Sequence, residues 1–118
     1  MGITFAKLRL SNLTKPQEEV EEKFLVDSGA HYTVVPYNLV KKLQLKPARI
    51  EDFELADGKV ISREVGDVMV EFEGKKVPSQ VVLGEKDDAA LLGAFTLEAM
   101  GLTLDPLARK LYKATLRM

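Results

Sequence analysis

The residues best placed to do chemistry are Phe24-Leu25-Val26-Asp27-Ser28-Gly29-Ala30. Three apolar residues deliver a carboxylate out of a buried run. A hydroxyl follows, then a glycine, then a residue of minimal bulk. A carboxylate at the end of a buried strand is costly unless it is paired or used. Glycine lets the backbone turn sharply and approach a neighbour closely, and Ser28 can hydrogen-bond across to a second copy of the loop. The rest of the chain narrows the chemistry. It has no cysteine, which removes disulfides, thiol nucleophiles and cysteine-based zinc sites, and its single histidine, His31, argues against a multi-histidine metal site. Asp-Ser-Gly alone is also good turn chemistry, so an ordinary strand-to-turn junction is the alternative reading of the triplet.

The elements that must position this loop are mostly strands. Residues 3–10 alternate, with Phe5, Lys7 and Arg9 on one parity and Ala6, Leu8 and Leu10 on the other, which predicts a strand with one buried face. Residues 11–19 read as a loop and 20–26 as a second strand that ends in the apolar run before Asp27. After Tyr32-Thr33-Val34-Val35, Pro36 suits a first helical position for a short helix from Tyr37 to Leu43. Ala56-Asp57-Gly58-Lys59 predicts a type I′ hairpin with arms at about 51–56 and 59–65. Gly66 is expected to break that run, and 67–72 and 77–83 form a further hairpin around 73–76. The apolar burst 89–93 leads into a helix over 94–100 that Gly101 closes, and strands at 102–105 and 108–116 flank a turn at Asp105-Pro106.

Composition sets the outer limits. The chain of 118 residues is long enough to bury about two-thirds of its surface and is expected to be one domain, residues 1–118. Its 17 basic residues nearly cancel 18 acidic ones, giving net charge −1, and no dense basic run supports nucleic-acid binding. No apolar run reaches the length of a membrane span, and the N-terminal segment lacks a signal-peptide pattern, so the expected location is the cytoplasm.

Phe24 to Val35 resembles the active-site segment of the retropepsin-like aspartic proteases: apolar residues, Asp-[Ser/Thr]-Gly-Ala, then a β-branched run. A second block, Leu91-Leu92-Gly93 followed by a short helix and Gly101-Leu102-Thr103-Leu104-Asp105, is similar to the hydrophobic-hydrophobic-Gly block that packs beside the catalytic loop in that family. Leu91 follows Asp27 by 64 residues, comparable to the family's layout, and Phe53 to Val65 occupies the place of the flap hairpin. The resemblance spans about residues 3–112.

The resemblance implies an all-β, closed-barrel acid-protease fold with one or two short helices. It implies an aspartic endopeptidase that cleaves extended peptides without metal or organic cofactor. Asp27 would be the catalytic residue, with Ser28, Gly29 and Ala30 supporting the loop, Ala56, Asp57, Gly58 and Lys59 at the flap tip, and His31, Leu91, Leu92 and Gly93 in the substrate cleft. Two carboxylates that share one water cannot both ionise, so one acts as base and the other as acid. Only one Asp-Ser-Gly-Ala occurs, so the second carboxylate is expected from a homodimeric partner. Two positions depart from the retroviral pattern: Ala94 stands where an arginine is usual, and His31 where an aspartate is common. That ion pair is absent, and 106–118 is long enough to supply dimer strands instead. The competing readings are a non-catalytic peptide-binding or dimerisation module on the same fold, and an unrelated small β-barrel with Asp27 in a salt bridge to its own lysines.

Overall fold

Alternation along the first strand is the seed of the structure. In the computed structural model, which describes residues 3–105 and 107–114, β1 (Phe5–Ser11) turns Ala6, Leu8 and Leu10 inward and leaves Phe5, Lys7 and Arg9 exposed. It pairs antiparallel with β2 (Glu19–Val26), Phe5 opposite Leu25 and Ser11 opposite Glu19. The connecting loop is held by Asn12, whose buried side chain donates to the carbonyls of Leu43 and Gln44 at 2.8 and 3.2 Å. Those carbonyls close α1 (Tyr37–Lys42), so one asparagine fixes both the loop and a helix end.

β3 (Thr33–Val35) feeds α1 through Pro36. Pro36 is the N-cap, with extended ψ of 151°, rather than the first helical residue, and its carbonyl accepts from the Leu39 and Val40 amides at 3.0 Å. Six helical residues are marginal alone. Burial of Leu39 and Leu43 holds this helix to the barrel.

β4 (Arg49–Glu54) and β5 (Val60–Phe72) form the central hairpin, and β6 (Lys75–Leu83) returns along β5. The first of the two turns departs from the expected type. Between β4 and β5 the Gly58 amide donates to the Leu55 carbonyl at 2.9 Å, and only Gly58 has positive φ, +86°. That is a type I turn closed by a left-handed glycine, not the type I′ turn expected at Asp57-Gly58. The type I′ pattern occurs instead at Glu73-Gly74, with φ of 49° and 86°. Gly66 does not break β5, which runs through it for thirteen residues. A Cβ at Gly66 would stand 2.7 Å from the Lys46 carbonyl oxygen, so glycine there admits a neighbouring backbone.

β7 (Leu91–Leu92) is inserted between β2, parallel, and β3, antiparallel. The strand order β1-β2-β7-β3-β6-β5-β4, with β5 pairing back to β1 at Met69–Glu71, closes the sheet on itself. The second half of β5 completes the barrel, while its first half and β4 extend as a hairpin. α2 (Ala94–Met100) ends at Gly101 in the left-handed region, as expected. β8 (Leu102–Asp105) and β9 (Lys110–Lys113) form a separate two-stranded sheet. Part of the tail expected to supply dimer strands therefore pairs within its own chain. Pro106 and 115–118 lie outside the described residues.

The core is filled by Phe24, Leu8, Leu10, Leu43, Val68, Val70, Val81 and Leu92, all fully buried. Each contributes about 1.5–3 kcal/mol relative to exposure. The result is the all-β closed barrel with two short helices that the resemblance implies. Among the described residues no helix is long and apolar enough to cross a membrane.

Candidate active site

Asp27 follows the last residue of β2, where the strand leaves the core. Phe24 and Val26 face inward, and Asp27, Ser28 and Gly29 are exposed. The backbone is fixed from both sides: the Asp27 amide donates to the Leu92 carbonyl at 2.9 Å, and the Ala30 amide donates to the Asp27 carbonyl at 3.1 Å. One carboxylate oxygen, Oδ1, accepts from the Gly29 amide at 3.0 Å. Among the described residues no salt bridge reaches Asp27 and no other side chain hydrogen-bonds to it. The loop therefore presents an oriented carboxylate to solvent, with no cation paired to it among the described residues.

The Leu91-Leu92-Gly93 block lies directly beside this loop. Leu25 pairs with Leu91 and Val26 with Leu92. Beyond β7, the Ala94 and Phe95 amides donate to the carbonyls of Ala30 and His31 at 2.7 and 2.9 Å. A buried hydroxyl chain locks the junction. The Gly93 amide donates to Thr33 Oγ1 at 3.0 Å, Thr33 Oγ1 meets Thr96 Oγ1 at 2.6 Å, and Thr96 Oγ1 meets Ser79 Oγ at 2.8 Å. β3, β6, β7 and α2 thus converge on the loop after Asp27. Sequence reasoning missed these three hydroxyls, because threonine and serine in strands and helices carry no local mark of a tertiary partner.

A cleft of about 760 Å³ opens next to the loop. Its apolar surface includes Ala30, Val34, Ile61, Val82 and Leu91. Of the residues expected there, His31 and Leu91 line it, but Leu92 and Gly93 do not. Leu92 points into the core and is fully buried, opposite to Leu91 as strand alternation requires, and Gly93 is buried against the backbone of Ala30 and Tyr32. The hairpin also contributes differently from expectation. Its exposed tip, Ala56 to Lys59, does not line the cleft, whereas Phe53, Glu54, Leu55 and Ile61 from the arms do.

His31 stacks on Phe95 with centroids 5.6 Å apart and planes at 11°, and Tyr32 packs edge-on to both Phe95 and Phe53. The Tyr32 hydroxyl accepts from Arg49, which also contacts Glu51 and Gln80. The hairpin base is therefore tied to the residues just after the Asp27 loop.

Residues 17–99, 83 of the 118, match the family described as gag-polyprotein putative aspartyl protease. The chain belongs to this aspartyl protease family. The match includes Asp27, the hairpin and the Leu91-Leu92-Gly93 block, which the fold brings together. Among curated proteins no match to the chain was found. Membership in an aspartyl protease family places the chain, at the coarse level, among peptide-bond hydrolases.

One further pair shapes the cleft. Arg63 on β5 grips Asp88 with two hydrogen bonds, Nε to Oδ2 at 2.7 Å and Nη2 to Oδ1 at 3.1 Å. This pins the 84–88 loop to the hairpin. The Arg63 guanidinium holds the Asp88 carboxyl below the ordinary aspartate value of 3.8, against an opposing effect of burial. A carboxyl depressed on folding adds stability above its unfolded value and loses it as pH falls through the lower folded one. Asp88→Asn is expected to cost about 1 kcal/mol, between an exposed and a buried charged pair. The cost should be equal at pH of about 5 and 7 and should shrink only below about 3.8. Urea unfolding at several pH values checks this, and a cost that disappears by pH of about 5 contradicts it.

Proposed function

We propose that the chain is an aspartic endopeptidase that works as a homodimer, one domain per chain, with Asp27 from each subunit sharing a catalytic water. The observation that carries this reading is the oriented, exposed Asp27 at the end of β2, unpaired with any cation among the described residues, in an aspartyl protease family member. The bond from the Gly29 amide to Asp27 is also the pattern of an ordinary Asx turn, so it is the family match that supports a catalytic reading of this carboxylate. A barrel with Asp27 bridged to its own lysines is disfavoured because no lysine pairs with it among the described residues. One such carboxylate per chain is half of an acid–base pair, so the second comes from a partner related by a two-fold axis. At the dyad, repulsion keeps one proton on the pair. The ionised carboxylate takes a proton from water, water attacks the scissile carbonyl, and the protonated carboxyl donates to the carbonyl oxygen. The substrate is an extended peptide in the cleft beneath the β4–β5 hairpin.

The test is cleavage of an unfolded protein across a dilution series, with sedimentation alongside. Activity per subunit should fall over the same concentrations at which dimer dissociates. Constant activity far into the monomer range overturns the shared-site reading.

A further inference from the structure

We infer that the cleft selects peptides carrying a lysine or arginine next to the apolar residue it buries; this deepens, and rests on, the peptidase reading. Two walls enclose the cleft, the β4 arm of the hairpin and the 84–88 loop, and both are acidic. β4 contributes Glu51, Asp52 and Glu54, and the loop contributes Asp87 and Asp88. Among the described residues the one Lys or Arg lining the cleft, Arg63, is already engaged, bound by Asp88 through two hydrogen bonds and lying 3.6 Å from Glu85. Glu51 is paired with Arg49, and Asp52 accepts from Ser62. Among the described residues Glu54 and Asp87 have no ion-pair partner, and both are exposed.

The chain as a whole carries a net charge of only −1, whereas the cleft lining among the described residues holds five carboxylates, of which Arg63 balances Asp88 and Arg49 balances Glu51, leaving Asp52, Glu54 and Asp87 in excess. The negative charge is therefore concentrated where substrate would lie. These carboxylates do not converge: among the described residues no group of three or more His, Cys, Asp or Glu could hold a metal ion. They are spread along walls that border an apolar surface of Val34, Ile61, Val82 and Leu91. That spacing suits a long cationic side chain, whose methylenes lie on apolar surface while its head meets a carboxylate. A glutamate in the same place would meet like charge. Clefts lined by one sign of charge also raise the local concentration of the opposite sign, an effect that salt screens.

The experiment compares peptides with one apolar core flanked by lysine, glutamine or glutamate. Lysine-flanked peptide is expected to show kcat/KM about 10-fold above the glutamate-flanked one at low salt. The gap should narrow to about 2-fold at high salt. Glu54→Gln combined with Asp87→Asn, both at exposed positions, should reduce the low-salt gap between lysine and glutamate peptides several-fold. Binding of the same peptides to Asp27→Asn protein, read by fluorescence anisotropy, reports the cleft without chemistry and should show the same order. Cleavage with equal kcat/KM for all three peptides overturns this inference and leaves the peptidase reading intact, as does a gap unchanged in the double variant. Charge-ordered binding without any hydrolysis by wild-type protein supports the cleft's preference and overturns the peptidase reading instead.

Discussion

Asp27→Asn is expected to lower peptide hydrolysis by about 10⁴-fold or more while leaving the fold intact. One acid or base group is worth about 10²–10⁴-fold, and in a homodimer this single substitution removes both. A loss of about 10⁴ corresponds to about 5.5 kcal/mol of transition-state stabilisation. Stability should change by no more than about 0.5 kcal/mol, because Asp27 is exposed and buries no charge. An asparagine oxygen can still accept from the Gly29 amide, so the loop keeps its local hydrogen bond. The variant also tests whether the site is shared. When wild-type and variant subunits are mixed and re-equilibrated, random pairing makes intact sites scale with the square of the wild-type fraction. Half wild-type should leave about a quarter of the activity. Activity falling only in proportion to the wild-type fraction would mean that each chain supplies a complete site, and full activity of the variant itself would remove Asp27 from the chemistry.

The parts of the molecule that were legible in sequence are those governed by local physics. The parity of Phe5 to Leu10, the apolar run before Asp27 and the left-handed Gly101 each follow from strand alternation or a helix terminus, and each is present. Hidden features depend on residues distant in sequence. Gly66 looks like a strand breaker until Lys46 is seen against it. Glu73 gives no sign that it will adopt positive φ, and Asp57 gives a false one; the registers of β5 against β6 and of β4 against β5 decide the two turns. Asn12, Thr33, Ser79 and Thr96 look like ordinary polar residues, yet they join loops and elements whose sequence separations run from 17 to 63 residues. For the site, the motif located Asp27 and the neighbouring block. It did not separate the cleft-facing Leu91 from the core-facing Leu92, because that depends on which side β7 turns toward β2 and β3.

Gly93→Ala is expected to damage stability and activity together, for a reason specific to its position. With φ −100° and ψ 178°, its backbone suits any residue, so no conformational strain arises. The obstacle is space. An added Cβ would stand 2.5 and 2.6 Å from the Tyr32 carbonyl oxygen and carbon, and 3.0 Å from the Ala30 oxygen. All three are backbone atoms, so no side-chain rotation relieves the contact. Either the β7–α2 junction retreats or residues 30–32 move. Retreat breaks the 2.7 Å bond from Ala94 to Ala30, the 2.9 Å bond from Phe95 to His31 and the anchor from Gly93 to Thr33. Overpacking against rigid backbone costs about 3 kcal/mol, which in a domain of this size lowers Tm by about 12–20 °C. Movement of residues 30–32 also displaces the turn that orients Asp27, and a misplacement of about 1 Å costs about 10²-fold in rate even in molecules that remain folded. Gly58→Ala at the hairpin tip makes the contrast. There φ is +86° and no heavy atom lies within 4 Å of the added carbon, so only conformational strain of about 1–2 kcal/mol applies and Asp27 keeps its setting. Thermal unfolding and cleavage assayed well below both transitions separate the two. A Gly93→Ala protein with unchanged Tm and full activity would mean that the Asp27 loop does not depend on the close approach of β7.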